Sequence, residues 1–511
     1  MTGAASPVER RAMLATVAVA VLLGLFAMND VPAGVFQDDG HYAILARALA
    51  HGDGYRYMNL PGAPGATHFP PGYPLLLAPL WWIAPQFPAN LAILKLLNVA
   101  LLPLAALGVH AVARRLGGLS AIAASAVAVA SVATVPLLYL NGLLFSETAF
   151  IAALCAVLLG AEQLAARRDA TSWRAALAVG LAIGALAMLR TIGVTLLPAL
   201  LAVLAWRRRW RDAALVCVGA LVFLLPWQLW TAAHGRDVPD AVAGGYGAYG
   251  PWIADAWRSG GLPFAQAVFL ENVRGLLMPL TLFGLIQAPG EVQALAIIGL
   301  VVLAGAGAWR MWPRAPVTLA TFVPYGALLL AWPFPPDRFL WPLWPIVLIA
   351  LVVGAMTLGA AAQPRRVHLA ARAAAIALAA LYAVWHVRTW PGRSWEAGER
   401  RNAQLGLAAA AVARSLPADG LVASDQDAMV NLYAGRPAVP LVALTAVQHV
   451  RMRSVVEVAA QVSAVLDAYH PRWVVVVQLE SWRAAQLLAQ RGRLKLSGAD
   501  PSGVLVYDVV R

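Results

Sequence analysis

Long apolar runs, separated by short basic or polar segments, fill most of the chain. Runs such as 12–28, 213–230 and 338–360 are long enough, or nearly so, to cross about 30 Å of hydrocarbon at about 1.5 Å per helical residue. Because the interior of a bilayer offers the backbone no hydrogen-bonding partner, spanning runs of this kind are expected to be helical. The pattern therefore predicts an all-α polytopic membrane protein.

The basic residues indicate on which side of the membrane each loop lies. Arginines gather in short loops, which is typical of the cytoplasmic side. The clusters are Arg10 with Arg11, Arg114 with Arg115, Arg167 with Arg168, Arg207 to Arg209 with Arg211, Arg310 with Arg314, and Arg365 and Arg366 with Arg372. With the N-terminus inside, every cluster falls inside if there are eleven spans, at about 12–28, 91–112, 119–138, 146–165, 174–189, 191–206, 213–231, 291–309, 317–333, 338–360 and 369–389.

The apolar residues 276–288 are the ambiguous segment in this count. They form a short run that is interrupted by Pro279, and Pro289 and Gly290 follow it. We interpret them as an interfacial helix, because counting them as a span would invert every later loop and place the arginines near residue 365 on the wrong face.

The composition agrees with this interpretation. Of the 511 residues, 61% are hydrophobic and 12% are charged, and the mean hydropathy is +0.69. The net charge of +13 lies mainly in loops between spans, which argues against a nucleic-acid partner. Cys155 and Cys217 lie inside apolar runs, with no spacing typical of a disulfide framework or a metal site. We expect 12–28 to be retained as the first span rather than removed as a signal peptide.

The end of the chain has a different pattern. Charged residues become common, and short β-type runs at 421–424, 473–477 and 504–510 alternate with helical patterns at 400–416, 452–468 and 481–490. The alternation predicts a small α/β domain at 391–511, on the outer face, after a membrane domain at 1–390. Its close carboxylate pair, Asp425 and Asp427, follows a strand, where capping is a more common role than catalysis.

Two long external segments, 29–89 and 232–275, follow from this topology, and the first carries unusual chemistry. The stretch VFQDDGHYAILARALAHGDGYRY (35–57) places Asp38 beside Asp39 at the start of a predicted short helix along the membrane surface. Capping and the helix dipole explain one such carboxylate, with about 0.5–2 kcal/mol of stabilisation. The second allows a role as general base, and the sequence leaves both roles open. The loop ends in HFPPGYPLLLAPLWW (68–82), whose tryptophans suit a membrane interface.

Three more charged residues interrupt apolar runs near span ends. They are Glu147 in NGLLFSETAF, Arg190 in AMLRTIG and Arg338 in WPFPPDRFLWPLWP. Each can be a residue whose charge reaches back to the interface or part of a site. All three share the predicted outer face with Asp38. Two carboxylates and two guanidiniums at one depth suit an anionic lipid headgroup together with a proton acceptor, since arginine binds phosphate with two parallel hydrogen bonds.

The order of several motifs resembles a known enzyme class. QDDGHYAILARALAHGDGY, HFPPGYPLLLAPL, LLFSETAF and DRFLWPLWP are similar to segments of polyprenyl-phosphate-dependent GT-C glycosyltransferases, in particular the bacterial relatives of protein O-mannosyltransferases and of the lipid A aminoarabinose transferase. The resemblance covers about 30–350, and ASDQDAMVNLYAGRPAVPL (423–441) is similar to tails in this group. It implies a GT-C fold and an enzyme of the bacterial inner membrane with a periplasmic active site. Such an enzyme moves a hexosyl or pentosyl group from a polyprenyl-phosphate donor to a glycolipid, polysaccharide or protein acceptor, with inversion.

The resemblance also implies a role for individual residues. The expected roles are catalysis for Asp38 as base with Asp39 and Glu147, donor-phosphate binding for Arg338, Arg190 and His68, and substrate binding for Tyr42, His41 and Tyr73. The aminoarabinose transferases have a lysine before the Pro-Pro of the first loop, whereas this chain has Phe69 preceded by His68. A protonated His68 would replace that lysine and make activity fall at higher pH, and the sugar stays unassigned.

Other hypotheses remain at this point. Asp38, Asp39, His41 and Glu147 together would suit a divalent metal, although no cofactor is required by the sequence. A transporter or flippase of a lipid-linked sugar would also be polytopic, but it usually places charges near mid-membrane and shows repeat symmetry. An inactive scaffold is a third alternative. Convergence of Asp38, Glu147 and Arg338 on one outward cavity that opens towards lipid would favour the transferase.

Overall fold

The computed structural model describes residues 6–167, 173–285, 287–361, 365–390 and 394–510. The apolar runs fold as helices, in which each backbone amide finds its partner within the segment, as a membrane requires. In chain order the helices before residue 391 are α1 (Pro7–Ala27), α2 (Gln37–His51), α3 (Gly72–Ile83), α4 (Leu91–Arg115), α5 (Ala121–Val132), α6 (Val135–Asn141), α7 (Glu147–Ala166), α8 (Trp173–Leu189), α9 (Leu196–Trp206), α10 (Trp210–His234), α11 (Ala243–Tyr246), α12 (Tyr249–Gly275), α13 (Gly290–Met311), α14 (Pro316–Ala331), α15 (Asp337–Leu340), α16 (Trp344–Ala361) and α17 (Arg365–Thr389).

A helix lies over each predicted span. Among the described residues, α1, α4, α7, α10 and α13 are each long and apolar enough to cross a membrane, and α5 with α6 would make a sixth span that bends by 63°. The chain is therefore a multi-pass membrane protein. The other apolar helices are shorter, so the count of eleven spans stays a prediction. Within 276–288 the described backbone forms a short 3-10 helix, Met278–Phe283, rather than a span.

Among the described residues, the arginine clusters that contain Arg114 and Arg209 lie at the opposite end of the helix bundle from the predicted site residues. Arg114, at the end of α4, contacts Glu9 near the start of α1, with 3.3 Å between Nε and Oε1. Arg209 donates from Nη1 to the carbonyl oxygen of Arg167 at 3.1 Å, just after the end of α7. Since α7 contains 20 residues, Glu147 at its start lies about 30 Å away. Arg168 lies outside the described residues.

Small residues let several helices approach backbone to backbone. Gly180 of α8 faces the carbonyl oxygen of Val216 of α10, and Gly219 of α10 faces that of Leu177; a Cβ atom at either glycine would overlap the opposite backbone. Close approach of this kind is the usual way in which membrane helices gain packing energy without a hydrophobic driving force. The pairing matters for the site, because it orients the end of α8, where Arg190 follows.

The end of the chain forms the predicted α/β region. Its helices are α18 (Ser394–Ser415), α19 (Asp427–Met429), α20 (Val455–Tyr469) and α21 (Leu479–Gln490), and its strands are β1 (Val422–Ser424), β2 (Ala438–Pro440), β3 (Trp473–Val476), β4 (Leu494–Ala499) and β5 (Leu505–Val509). The strand order is β2-β1-β3-β5-β4. The pairs β1–β2 and β1–β3 are parallel, whereas β5 is antiparallel to both β3 and β4. The predicted boundary between 390 and 391 adjoins residues 391–393, which lie outside the described ranges.

The α/β region packs directly on the first predicted external loop. The backbone amide of Ala438, in the edge strand β2, donates to the carbonyl oxygen of Asn59 at 2.9 Å. Arg47 of α2 donates from Nη2 to Oδ1 of Asn431 at 2.6 Å. Ala428 and Leu441 also belong to the same buried apolar cluster as side chains of that loop. The two predicted domains therefore share a core at this contact.

Candidate active site

The two adjacent aspartates have different surroundings. Helix α2 begins at Gln37, and its N-cap, Phe36, makes no side-chain cap hydrogen bond. Asp39 accepts hydrogen bonds from the backbone amides of Gly34 at 3.0 Å and Gly40 at 2.9 Å, and only 1% of it is exposed. Burial raises the pKa of Asp39 to about 8. Asp39 thus holds the loop against the start of α2, while Asp38 contacts a distant arginine.

Asp38, Arg338, Glu147 and Arg190 form a continuous chain of ion pairs. Nη1 of Arg338 lies 2.7 Å from Oδ2 of Asp38, and Nε of Arg338 lies 2.7 Å from Oε1 of Glu147. The same Glu147 oxygen lies 2.6 Å from Nη1 of Arg190, which also donates to Oγ of Ser146 at 3.2 Å. The structure therefore brings together four of the predicted site residues, which come from α2, α7, the end of α8 and α15.

The four charged side chains differ in how deeply they are buried. The side chains of Asp38 and Arg338 are 29% and 30% exposed, whereas Glu147 is fully buried and Arg190 is 7% exposed. Buried charges are tolerated when they are paired, and here positive and negative groups alternate. The Arg338 guanidinium also lies 4.3 Å from the ring centre of Phe145. Asp38 and Arg338 are therefore the more accessible pair; Glu147 supports it from behind, and Arg190 reaches the cavity with little exposed surface.

The ion pair determines the charge state of Asp38. Burial alone would raise the pKa of Asp38, but the charge of Arg338 and its hydrogen bond outweigh burial and hold this pKa below its usual value. Asp38 is therefore ionised at neutral pH, and it competes with any other anion for Arg338.

A cavity of about 400 Å³ opens beside this pair. Its polar lining consists of Asp38, Tyr42, Thr67, His68, Arg190, Thr191, Gln228, Thr231, Tyr249 and Arg338. Among the lining residues that were not predicted from the sequence are Thr67, Thr191, Gln228, Thr231, Tyr249 and Trp332. Gln228 and Thr231 are polar positions three residues apart near the end of an apolar span, so their common helix face was the signal that could have found them.

The other predicted substrate-binding residues are placed differently. Tyr42 lines the cavity, whereas His41 and Tyr73 are fully buried and are not among its lining residues. The hydroxyl of Tyr73 donates to Oδ1 of Asn98 at 3.2 Å. His41 packs 4.4 Å from the ring of Tyr246, and both of its ring nitrogens lack a hydrogen-bond partner among the residues that the structure describes. The substrate-binding roles of these residues stay predictions.

His68 is on the cavity wall with its tautomer determined by a backbone contact. Its Nδ1 lies 2.8 Å from the carbonyl oxygen of Gly247, and a carbonyl can only accept, so Nδ1 carries the proton. Burial lowers the pKa of His68 to about 4, so the ring is neutral at neutral pH and Nε2 is an acceptor. A phosphate contact from protonated His68 stays a prediction; the Nε2 atom of a neutral ring accepts a hydrogen bond from a donor such as a hydroxyl.

An apolar groove of about 690 Å³ lies next to the polar cavity. Side chains of α3, α7, α8 and α10 line it, and Leu189 and Trp227 line both the groove and the cavity. Its surface is almost entirely hydrocarbon, so it suits an apolar chain rather than a polar one.

This arrangement does not provide a set of ligands for the divalent metal considered above. Within the described ranges, no group of three or more His, Cys, Asp or Glu side chains could hold a metal ion together. Asp39 is occupied by backbone amides, and Glu147 is held by two arginines.

Comparison with solved structures identifies the fold. No protein-family profile and no curated protein matches this sequence. Among solved structures, ArnT from Cupriavidus metallidurans bound to undecaprenyl phosphate is 16% identical, with a TM-score of 0.48 over 97% of this chain and 98% of ArnT. The archaeal oligosaccharyltransferase AglB from Archaeoglobus fulgidus, in complex with an inhibitory peptide and a dolichol-phosphate, is 14% identical, with a TM-score of 0.55 over 99% of this chain and 75% of AglB. The likeness to AglB confirms the expectation from the sequence that this chain has the GT-C fold.

Proposed function

We propose that this chain is an integral membrane glycosyltransferase that moves a sugar from a polyprenyl-phosphate donor to an envelope acceptor. The proposed location is the outer face of the bacterial inner membrane, and the acceptor is a glycolipid, a polysaccharide or a protein. The observation that carries the proposal is the contact of Asp38 with Arg338 at the mouth of a cavity, supported by Glu147 and Arg190. The proposed base and the two proposed phosphate-binding side chains thus lie within one site.

The fold agrees with a lipid-phosphate substrate. AglB, whose fold this chain shares, is an oligosaccharyltransferase with a dolichol-phosphate in its structure. In our chain the apolar groove offers a place for a polyprenyl chain, and Leu189, which lines both groove and cavity, immediately precedes Arg190. A donor would thus lie with its hydrocarbon in the groove and its phosphate at Arg190 and Arg338.

The reaction follows from these positions. The acceptor hydroxyl oxygen attacks the anomeric carbon and forms the new glycosidic bond, while the bond from that carbon to the phosphate oxygen breaks. Asp38 takes the hydroxyl proton, and the electron pair leaves with the polyprenyl phosphate. Arg338 and Arg190 stabilise the negative charge that develops on the phosphate. Attack opposite the leaving group inverts the anomeric configuration.

The contact between Arg338 and Asp38 links donor binding to the strength of Asp38 as a base. Nη1 of Arg338 already binds Asp38, so a phosphate that takes this guanidinium releases Asp38. A carboxylate that loses its cationic partner becomes a better proton acceptor. The base therefore gains strength when the donor is in place.

The experiment that tests the function compares envelope glycans and glycolipids by mass spectrometry. Strains would lack the protein, carry the natural protein, or carry Asp38→Asn; Asp53→Asn, on the exposed part of the same loop, is the matched control. Loss of a general base lowers the rate by about 10²–10⁴-fold, so Asp38→Asn should lose the same product as the deletion strain. The sugar mass that both strains lack, and the molecule that lacks it, identify the sugar and the acceptor. A normal product pattern with Asp38→Asn, at equal protein level, would overturn the assignment of the base.

A further inference from the structure

We propose that Asp427 of the α/β region is a positioning residue for the cavity, acting through Tyr246 on Thr67 and His68. The activity readout of this proposal rests on the proposed function, whereas its structural readout does not. Asp427 follows β1 in the chain, where the sequence favoured capping over catalysis.

The position of Asp427 in the sheet is the first observation. In open α/β sheets, ligands usually bind outside the carboxyl ends of parallel strands, where the strand order reverses. Here β1 lies between the parallel strands β2 and β3, and the chain leaves β1 directly towards Asp427. Asp427 is only 7% exposed, because segments of the membrane domain (1–390) cover this edge of the sheet. The edge is thus a docking surface within the molecule.

Asp427 joins three distant segments at that surface. Its Oδ2 accepts a short hydrogen bond from the hydroxyl of Tyr246, and Nδ2 of Asn59 lies 3.3 Å from the same oxygen. Asn59 also donates to the Tyr246 hydroxyl at 2.5 Å. Asn59 belongs to the first predicted external loop and Tyr246 to the second, and all three residues are buried. The carboxylate therefore ties both loops to the α/β region.

Two backbone carbonyls continue this connection into the cavity wall. The carbonyl oxygen of Tyr246 accepts a hydrogen bond from Oγ1 of Thr67 at 3.3 Å. The next carbonyl, of Gly247, accepts from Nδ1 of His68 at 2.8 Å. Thr67 and His68 both line the cavity that contains Asp38. A displaced Tyr246 would consequently move both acceptors that orient this wall.

The fit of the segment around Tyr246 is an independent observation. A Cβ atom at Gly244 would overlap the carbonyl oxygen of Leu444, which belongs to the α/β region, and one at Gly245 would overlap the side chain of Gln37. Gln37 precedes Asp38 in the chain. The segment is therefore held between the α/β region on one side and the start of α2 on the other.

The functional test is a double-mutant cycle on transfer activity in purified protein. Asp427→Ala, Tyr246→Phe and His68→Ala are each expected to lower product formation about 10-fold, within the range seen for coupled residues. If Asp427 acts through His68, Asp427→Ala in the His68→Ala background lowers activity less than 2-fold further. An additive loss of about 100-fold would overturn the proposal.

Two further variants separate positioning from general stability. Asp427→Asn keeps an acceptor oxygen for Tyr246 and is expected to retain at least half of the activity. Asp467→Ala removes an exposed carboxylate of α20 that pairs with Arg493, and it is expected to change activity less than 2-fold. A loss with Asp427→Asn as large as that with Asp427→Ala would contradict a role based on this hydrogen bond.

Hydrogen exchange tests the same connection without substrate. In Asp427→Ala, peptides covering 65–69 and 243–250 should exchange at least 5-fold faster, whereas peptides covering 473–490 should not change. Tyr246→Phe should reproduce this pattern with an intact α/β region, which matters if Asp427→Ala unfolds that region. Unchanged exchange of both loops in Tyr246→Phe would overturn the proposal, whether or not transferase activity has been found.

Discussion

At the scale of single residues, one helical step separates two different roles. Asp38 and Asp39 are neighbours at the start of α2, and successive residues of an α-helix point about 100° apart. Asp39 therefore turns towards backbone amides of its own loop, while Asp38 reaches Arg338. From the sequence, capping and catalysis stayed open for the pair; the contacts place Asp39 against backbone amides and Asp38 against Arg338, and the catalytic role stays a prediction.

The fork shape of Arg338 gives a prediction about lipid-phosphate binding. Arg338 uses Nη1 for Asp38 and Nε for Glu147, and a lysine has no such pair of separate donors. Arg338→Lys is expected to weaken binding of undecaprenyl phosphate about 10-fold, since a lost hydrogen bond between charged groups is worth about 1.5–3 kcal/mol. Binding would be measured by native mass spectrometry of the detergent-solubilised protein.

The matched control for this experiment is Arg274→Lys. Arg274 is exposed and pairs with Glu271 on its own helix, so its replacement should leave undecaprenyl-phosphate affinity unchanged. Equal affinities of the natural protein and Arg338→Lys would contradict the proposed phosphate site.

His41 gives a prediction about pH and stability. Burial lowers the pKa of His41 to about 3, compared with about 6.5 in an unfolded chain. Below pH 6.5 the unfolded chain therefore binds a proton that the folded chain does not. For this residue, the free energy of unfolding then decreases by about 1.4 kcal/mol for each pH unit by which the pH is lowered. His41→Phe should remove that contribution, so its Tm should fall less than that of the natural protein between pH 7.5 and 5.5.

The comparison between the two proteins isolates His41, because all other titrating groups are common to both. His51→Gln, at the exposed end of the same helix, is the control and should leave the pH dependence of Tm close to that of the natural protein. Parallel Tm curves for His41→Phe and the natural protein would show that His41 is not held neutral by burial.

At the scale of elements, the contact between α8 and α10 gives a stability prediction. Gly180→Val places a side chain against the backbone of Val216, and Gly219→Val places one against Leu177. Each substitution should destabilise the protein by about 1–3 kcal/mol, because the helices must separate to admit the new atoms. The measurement is the Tm of the detergent-solubilised protein.

Gly299→Val is the matched control, since Gly299 of α13 faces open space. Its Tm should stay near that of the natural protein. If all three variants had the same Tm, close packing of α8 on α10 would not be the source of stability.

Helix and strand positions differ in how far the sequence predicts them. Continuous apolar runs indicated the long helices, because length and hydrophobicity are local properties. The bend of 63° between α5 and α6 was missed, because the run is mostly apolar and the local signals at the bend, Thr134 and Pro136, were not used. Strands β2 and β4 were also missed, since β2 has three residues and most of β4 is exposed. The buried strand β2 is too short to show a periodic pattern, and the exposed strand β4 has only a weak apolar signal.

At the scale of the whole molecule, the predicted orientation can be tested by labelling. Ser120, at the basic end of the bundle, and Ser502, in the α/β region, are both exposed. In right-side-out vesicles, Ser502→Cys should react with a membrane-impermeant maleimide, and Ser120→Cys should react only after the vesicles are opened. The natural protein is the blank, because Cys155 is buried and Cys217 lies within an apolar helix. The reverse labelling pattern would place the proposed site in the cytoplasm.

The amino-acid sequence alone contains the membrane character, the helices and the asymmetry of the arginines, because each depends on neighbouring residues and on transfer from water to lipid. Its motif order also indicates the GT-C fold. Only the folded chain shows that Asp38 rather than Asp39 meets Arg338, 300 residues away, and that Asp427 meets Tyr246 across 181 residues. Such pairings depend on how whole helices and loops pack, and no local pattern of hydrophobicity or charge encodes that geometry.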